Sequence, residues 1–195
     1  MDVRSKKEEH KQVGDEEWSG DAWIYMCVRR ESYYFVGFSV GRWTQGTCRV
    51  MLSQVSNSVQ DGVFTVYSDG NDDYYYTLTD FFQEVRYGQL VKIREKGRVV
   101  GKEIRVLIGD VDSEQVETFN VENFNSILRG RVGRLVRKTK TFSKIPEMLY
   151  YSVALFQFYW NFMNPLPCKQ TPATIEEITT NVWTREQFIS YHHTI

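Results

Sequence analysis

The stretch Trp23-Ile-Tyr-Met-Cys-Val28, which continues through Arg29-Arg-Glu-Ser32 into Tyr33-Tyr-Phe-Val-Gly-Phe-Ser-Val40, decides the fold class of this chain. Its two outer segments are rich in aromatic and β-branched residues, which pack well on the pleated surface of a sheet. The four residues between them are polar or charged and are typical of a short turn. The sequence therefore predicts two antiparallel strands.

The segments that follow alternate between helical and extended patterns. Apolar residues at helical spacing predict a helix in 44–60, and residues 63–67 predict a buried strand that places Asp69 in a tight Asp-Gly turn. Residues 104–108 predict a further strand. In 89–98 basic residues recur at every second position, so they share one face if the strand extends that far. These residues are Lys92, Arg94, Lys96 and Arg98.

The last third of the chain is predicted to be helical. A long helix is expected from about Thr118 to Lys138 because four apolar residues lie on one stripe, although two glycines each weaken it by about 1 kcal/mol. The stripe consists of Val121, Phe124, Leu128 and Leu135, and the glycines are Gly130 and Gly133. Ser143 is a suitable N-cap for a second helix, which ends at Asn164-Pro165. Two short helices are expected to begin near Thr171 and Thr184.

The composition is that of an ordinary globular protein. Of the 195 residues, 42% are hydrophobic and 15% aromatic, and 24 basic side chains nearly balance 25 acidic ones, which excludes intrinsic disorder and collagen-like repeats. The longest apolar stretch, 152–163, is interrupted by Gln157 and Asn161 and is shorter than the roughly 20 residues that cross a bilayer. We therefore expect a core helix there and no membrane partner.

The cysteines and the first residues of the chain indicate the cellular compartment of the protein. Cys27, Cys48 and Cys168 are isolated and never occur in C-x-x-C spacing, which argues against a zinc ribbon and indicates a reducing environment. No apolar core follows the charged residues 1–11, so no secretory signal is predicted. A cytoplasmic protein is expected.

Basic residues are concentrated between Glu122 and Glu147, an interval without any acidic residue. A charge run of this kind is usually a solvated helical face. The lack of a compensating acid directly after Glu122 instead favours contacts with phosphates. The basic residues are Arg129, Arg131, Arg134, Arg137, Lys138, Lys140 and Lys144.

The order of the elements is that of a ribonuclease-H-like α/β domain. We predict a mixed sheet flanked by helices in 21–164, a C-terminal helical extension in 165–195 and, in 1–20, a polar arm or a truncated first strand. In such a layout, carboxylates at strand ends and at one helix start converge on one edge of the sheet, where their oxygens suit two Mg²⁺ or Mn²⁺ ions. Asp69 and Glu122 are expected to meet there. A salt bridge that walled off either acid would count against this expectation.

A long motif occupies Val121-Glu-Asn-Phe-Asn-Ser-Ile-Leu-Arg-Gly-Arg-Val-Gly-Arg-Leu-Val-Arg-Lys-Thr-Lys-Thr-Phe-Ser-Lys144. It resembles the Glu-x-x-Asn-x-x-Leu-Arg … Arg-Leu-x-Arg-Lys-Thr-x-x-Phe-Ser-Lys block of DDE transposases of the insertion-sequence-one type, including archaeal relatives. Tyr67-Ser-Asp-Gly70 is similar to the strand-end Thr-Asp-Gly of that family. Further similar segments, within a region from about Gly20 to Phe188, are Tyr87-Gly-Gln-Leu-Val-Lys-Ile93, Thr171-Pro-Ala173 and Val182-Trp-Thr184.

The resemblance implies that Asp69 is the second and Glu122 the third catalytic and metal-binding carboxylate. Asn125 and Arg129, one and two turns after Glu122, then share its helix face and point toward DNA, and the basic residues through Lys144 contact phosphates. The implied cofactor is Mg²⁺ or Mn²⁺, and the implied partners are the element ends, the target DNA and further copies of the chain. The zinc-ribbon and helix-turn-helix portion of the family has no counterpart here, so we expect a separate or fused end-recognition protein.

The first carboxylate of the motif has three candidates. If the strands at 23–28 and 33–40 are the second and third, the first strand lies in 1–18 and its acid is Asp2 or Asp15. Asp15 lies in the better local sequence match, Asp15-Glu-Glu-Trp18, but leaves little room for the chain to reverse before the next strand. Asp2 leaves that room but lacks the neighbouring residues that the family motif has. Asp21 is the third candidate and requires a different strand count. We choose Asp2, and we expect that the start of its strand is missing.

The resemblance predicts a DNA transposase catalytic domain. Such a domain cleaves strands at the ends of its element and joins the freed 3′-hydroxyl to target DNA by in-line phosphoryl transfer. The alternative is a degenerate, catalytically inactive remnant that keeps the fold and binds DNA. A ribonuclease-H-like nuclease acting in repair is disfavoured, because the motif in 121–144 fits transposases in particular.

Overall fold

A computed structural model describes residues 2–4, 21–59, 62–136, 143 and 145–191, with the backbone alone at residues 2–4 and 21. The fold is mixed α/β, with helices flanking the strands. The first three strands are β1 (Asp2–Arg4), β2 (Asp21–Val28) and β3 (Phe35–Gly41), and they form an antiparallel sheet in that order. The predicted strand pair at 23–40 is thereby confirmed, and a short third strand that contains Asp2 lies beside it.

A second sheet is mixed. It contains β4 (Phe64–Asp69), β5 (Val85–Glu95) and β6 (Arg98–Ile108); β4 runs parallel to β5, and β5 runs antiparallel to β6. Lys96 and Gly97 both have positive φ and connect β5 to β6 in a tight turn. The prediction of one mixed sheet is thus met in part, because the hydrogen bonds of the described strands divide them into two sheets of three.

The helices cover both faces of the strands. The first two are α1 (Gln45–Ser58) and α2 (Asp73–Phe81), and α3 (Phe119–Arg131) follows β6. Next, α4 (Pro146–Phe158) continues into a π-helical turn at Tyr159–Met163, and α5 (Pro172–Ile175) and α6 (Arg185–Ser190) complete the described chain. Short 3-10 turns lie at Ser113–Gln115 and Gly133–Leu135.

Two apolar clusters hold these layers together. One packs β2 and β3 against α3 and α4, with the Phe124 ring 5.0 Å from Phe35 and 5.4 Å from Trp160. The other packs the opposite face of β2 against α1, α2 and the base of the mixed sheet, where Leu78 and Tyr87 are fully buried. Alternate residues of β2 therefore enter different clusters, as period-two geometry requires.

The outer edge of β3 is closed by side chains from the α4 region. The Asn161 carboxamide accepts from the Phe35 N–H at 2.9 Å and donates to the Phe35 carbonyl at 2.9 Å. Gln157 donates to the same carbonyl. Two amide side chains thus pair with backbone groups at an edge that would otherwise remain open to another strand.

Three predictions about the helices need correction. The long helix ends at Arg131 and not at Lys138, because Val132 leaves the helical region and the chain tightens into a 3-10 turn at Gly133. Ser143 is not an N-cap: Ile145 holds that position before Pro146, and the buried Ser143 hydroxyl accepts from Arg134. The helix α2 was not predicted.

The C-terminal segment packs back onto the domain. Trp183 lies against Phe158 and Phe162, with ring centroids 5.5 and 5.7 Å apart. The capping box predicted at Thr184 is present, with reciprocal bonds between Thr184 and Gln187. Within the described parts of the chain, no helix combines the length and apolar character needed to cross a bilayer.

Candidate functional site

A cleft of about 1010 Å³ lies between the two sheets. Its walls include residues of β2 between Ile24 and Val28 on one side and all of β4, Phe64–Asp69, on the other, and the first turns of α3 form its end. Arg30, in the turn after β2, bridges the two sides: it lies over the Tyr67 ring of β4 and donates to the Gln115 carbonyl at 3.0 Å and to Glu117 at 2.6 Å, both before α3. Both predicted acids, Asp69 and Glu122, line this cleft.

Asp69 is the last residue of β4, and the predicted turn follows it. Its Oδ1 accepts from the backbone N–H of Asn71 at 3.3 Å, which is the local turn that aspartate favours after a strand. The side chain is exposed, and no ion pair to it is recorded among the described residues. Burial, together with the charge of Asp69, raises the pKa of the neighbouring Tyr74 hydroxyl well above its ordinary value. The Asp69 side chain is accessible from the cleft that it lines.

The strand register connects Asp69 to Lys92. Asp69 is the partner of Leu90 in the parallel β4–β5 pair, and Lys92 lies two residues further along β5. Side chains two apart in a strand share a face, so Lys92 lies on the face of the sheet that carries Asp69. Lys92 in turn makes a salt bridge with Glu122 of α3. Lys92 thus contacts Glu122 from the face of the sheet that carries Asp69.

Glu122 lies in the first turn of α3, where the helix dipole favours an acid. Its Oε1 accepts from Lys92 and, at 2.6 Å, from the Thr118 hydroxyl one turn earlier. Partial burial raises the pKa of Glu122, but the bonds from Lys92 and Thr118 and the charge of Lys102 outweigh it, so the pKa lies below its ordinary value of 4.5. The salt bridge is one that the sequence argument named as unfavourable, yet the Glu122 side chain remains 48% exposed and is not walled off.

Asn125 and Arg129 follow Glu122 on the same helix face. Asn125 lines the cleft, and its carboxamide oxygen is buried without a hydrogen-bond partner among the described residues. An unpaired buried acceptor of this kind costs about 1–3 kcal/mol unless a donor reaches it. Arg129 is half-buried and engaged in the protein.

Arg131 and Arg134 lie away from the cleft. Both line a second groove of about 970 Å³ between the end of α3, α4 and α6. Arg131 donates to Asn164 at 2.6 Å and lies over the Trp160 ring, and Arg134 donates to Ser143 at 3.2 Å. The structure therefore brings Asp69, Glu122 and Asn125 to one cleft but places these two arginines on another surface.

The remaining predicted residues are outside what the structure describes. The basic residues Arg137, Lys138, Lys140 and Lys144 fall in this group, as does Asp15. The backbone of Asp2 pairs with Trp23 and that of Asp21 with Arg4, while their side chains are not described. The choice of the first carboxylate stays open.

The donor set of the cleft suits a hard cation in part. Carboxylate oxygens are the ligands that Mg²⁺ prefers, and Mg²⁺ commonly keeps several waters while it binds one or two protein carboxylates together with substrate phosphates. Asp69 and Glu122 supply two such groups. Among the described side chains, no cluster of three histidine, cysteine or acidic residues is arranged for a metal ion.

The side-chain contacts that Glu122 and Arg30 make in this site were not predicted from the sequence. Thr118 was expected only to start the helix, although its position four residues before Glu122 is the spacing of a side-chain pair. Lys92 was singled out for its period-two pattern, but nothing local indicated Glu122 as its partner, thirty residues away in the chain. Arg30, in a turn, carried no signal of its bridging role.

Comparisons with known proteins identify no relative. No family model matches the chain, and neither the curated proteins nor the solved structures include a significant match.

Proposed function

We propose that this chain is a DNA transposase catalytic domain that performs metal-dependent strand cleavage and strand transfer at the ends of an insertion element. The observation that carries the proposal is the convergence of Asp69 and Glu122 on one cleft, although 52 positions separate them in the chain. These are the two acids that the resemblance to insertion-sequence-one transposases assigns. Asn125, the third matching residue of that motif, lines the same cleft.

The arrangement of strands supports a ribonuclease-H-like fold for the domain. Three antiparallel strands precede α1, β4 ends in an acid, a parallel β5 follows, and an acid begins α3. In the described strands, β1 pairs with the first three residues of β2, and hydrogen bonds between β1 and β4 are not recorded.

Asp69 and Glu122 would hold the divalent cation, Mg²⁺ or Mn²⁺. When bound, such an ion supplies a charge that stabilises the oxygens of a phosphodiester during in-line displacement. The chain's own contribution is to position the acids: the Asn71 N–H orients the Asp69 carboxylate, and Thr118 and Lys92 orient that of Glu122. Because the Lys92–Glu122 pair is partly exposed, it is worth at most about 1 kcal/mol and does not prevent exchange of the ammonium for a metal.

A second candidate is a catalytically inactive remnant that retains DNA binding. The same salt bridge favours it, because an ammonium on Glu122 neutralises the acid without any metal. In a functional transposase a metal ion would replace the Lys92 ammonium at Glu122, whereas in a degenerate form it would not. This difference can be measured.

The test is nicking of a supercoiled plasmid by the full chain in Mg²⁺ and in EDTA. Under the proposal, Mg²⁺ produces open circles, and Asp69→Asn and Glu122→Gln each reduce the rate by at least about a hundredfold, because either change removes a metal ligand. Asp2→Asn, Asp15→Asn and Asp21→Asn, tested in parallel, identify the first carboxylate as the one whose loss has an equal effect.

Matched controls separate loss of a ligand from loss of charge. Asp72→Asn removes an exposed acid from the same turn as Asp69, and Glu117→Gln removes another acid that lines the cleft. Both should nick within about twofold of the unchanged chain. If no variant differs from the unchanged chain, or if Mg²⁺ yields no nicking while DNA still binds, the transposase proposal fails and the inactive remnant is left.

A further inference from the structure

The β5–β6 hairpin projects from the mixed sheet into solvent. Its residues from Ile93 to Val106 are exposed, with Gly101 half-buried. Between Lys92 and Arg105 the hairpin carries six basic side chains and two acidic ones. A two-stranded ribbon with this excess of positive charge is a feature that packing within the domain does not explain.

The charges on the two faces of the hairpin differ. On one face, Lys92 and Lys102 are direct cross-strand partners, and Arg94 lies two residues beyond Lys92. On the other face, Arg105 is neutralised by Glu103 through two bonds of 2.9 Å. Like charges directly opposite each other destabilise a strand pair. The salt bridge to Glu122 offsets the charge of Lys92, so Arg94 and Lys102 are the side chains of this face whose charge an anion would meet.

The positive face is continuous with the candidate site. Lys92 and Arg94 line the cleft, and Lys102 lies near enough to Glu122 for its charge to lower the pKa of that acid. Among the described residues, no carboxylate lies within ion-pair distance of Arg94 or Lys102. An extended polyanion that passes the acids would therefore next meet these two side chains.

Protection of an exposed sheet edge is the competing explanation. Lysine and arginine on edge strands discourage pairing with other chains. Arg98, Lys102 and Arg105 of β6, the outer strand, can serve that role, but Lys92 and Arg94 are on β5 and share the face of Asp69. The positions of Lys92 and Arg94 fit contacts with a ligand at the cleft better than they fit protection of a sheet edge.

We propose that the β5–β6 hairpin is a DNA-binding arm whose Lys92–Arg94–Lys102 face contacts the phosphates of a duplex that extends from the cleft. The ribbon is of a size that the major groove of duplex DNA admits. The inference deepens the proposed function, and it rests on that function for the choice of DNA over another polyanion.

The test measures binding without chemistry. Fluorescence anisotropy of a labelled 30-base-pair duplex is followed in EDTA from about 50 to 200 mM salt, with the full chain and with Arg94→Ala/Lys102→Ala. Loss of two phosphate contacts should weaken binding about tenfold or more and reduce the magnitude of the salt slope by about 2. The control is Arg98→Ala/Arg105→Ala, which removes the same amount of positive charge from the opposite face of the hairpin. It should weaken binding less than threefold.

The outcomes distinguish this inference from the proposed function. Equal losses in the two double variants overturn it, because binding then depends on net charge alone. Polyglutamate that displaces the duplex at matched charge concentration also overturns it, since the face would then fit an acidic protein equally well. If the chain binds DNA through this face but does not nick plasmid, the inference holds and the proposed function fails. If the chain nicks plasmid while both double variants bind DNA normally, the proposed function holds and the inference fails.

Discussion

The antiparallel sheet β1–β2–β3 and the mixed sheet β4–β5–β6 have equal numbers of strands but opposite relations to solvent. The first sheet lies between two apolar clusters, and Phe35 and Phe38 of β3 are almost fully buried. The second sheet is buried at its base, near Tyr87 and Leu90, and exposed to solvent along the outer half of the hairpin. Apolar packing is thus concentrated on the first sheet, whereas Asp69 and the exposed basic side chains of the hairpin are on the second.

The sharpest test of this division is a cavity in the first region. Phe124→Ala removes a fully buried ring that contacts Phe35, Phe156 and Trp160. It should lower the free energy of unfolding by about 3–5 kcal/mol, because the loss of transfer free energy is joined by the cost of the cavity. Urea denaturation followed by far-UV circular dichroism measures this change.

Phe119→Ala is the matched control on the same helix. Phe119 is 67% exposed, so its removal should change the free energy of unfolding by no more than about 0.5 kcal/mol. Similar losses in the two variants would show that α3 does not pack as described.

Two glycines test the base and the outer part of the mixed sheet. A Cβ on Gly88 would lie 2.6 Å from Cγ2 of Val116 and 3.3 Å from Cγ1 of Val111, so Gly88→Ala should cost about 1–3 kcal/mol through overpacking. A Cβ on Gly101 would meet Ile93 at an ordinary 3.6 Å, so Gly101→Ala should change stability by less than about 0.5 kcal/mol. The urea midpoints of both variants give the comparison, and a hairpin packed along its whole length would make them alike.

The smallest expected effect is the pH dependence that Lys92 imposes. The folded pKa of Glu122 is below its ordinary value of 4.5, so its ionised form contributes stability above the unfolded pKa, and this contribution is lost as the pH falls through the folded pKa. Lys92→Met should raise the pKa of Glu122 toward 4.5 and reduce that acid-dependent loss by less than about 1 kcal/mol, since the pair is partly exposed.

Carboxyl NMR titration of Glu122 measures the shift directly. Lys102→Met is the control, and its effect should be smaller because Lys102 acts through charge without a hydrogen bond. An unchanged pKa in Lys92→Met would mean that the Lys92–Glu122 bridge does not form in solution.

Much of the local structure could be predicted from the sequence. The aromatic and β-branched segments at 23–40 form β2 and β3, the acid at position 69 ends β4 in a turn, and Phe124 and Leu128 face the core as their spacing indicates. The helix α2, Asp73–Phe81, was not predicted. The positions of Tyr74, Leu78 and Phe81 carry the spacing of a helix and were the available signal.

The candidate site was less predictable than its residues. Asp69, Glu122 and Asn125 could be named from the sequence because each follows a recognisable local pattern or motif. Arg131 looked equivalent to them as part of a basic run, yet its guanidinium is committed to Asn164 and Trp160 on another surface. Charge counted along the chain does not reveal which charges are neutralised in space.

The sequence by itself determined which segments form strands and helices and which acids end β4 and begin α3, because hydrophobic periodicity, caps and turn residues act over a few neighbouring positions. Only the tertiary structure decided that a lysine of β5 pairs with Glu122, that Arg105 on one face of the hairpin is neutralised by Glu103, and that Arg131 and Arg134 lie on a surface away from the cleft. These features depend on distances between residues that are remote in the chain, and such distances are set by strand register and helix packing.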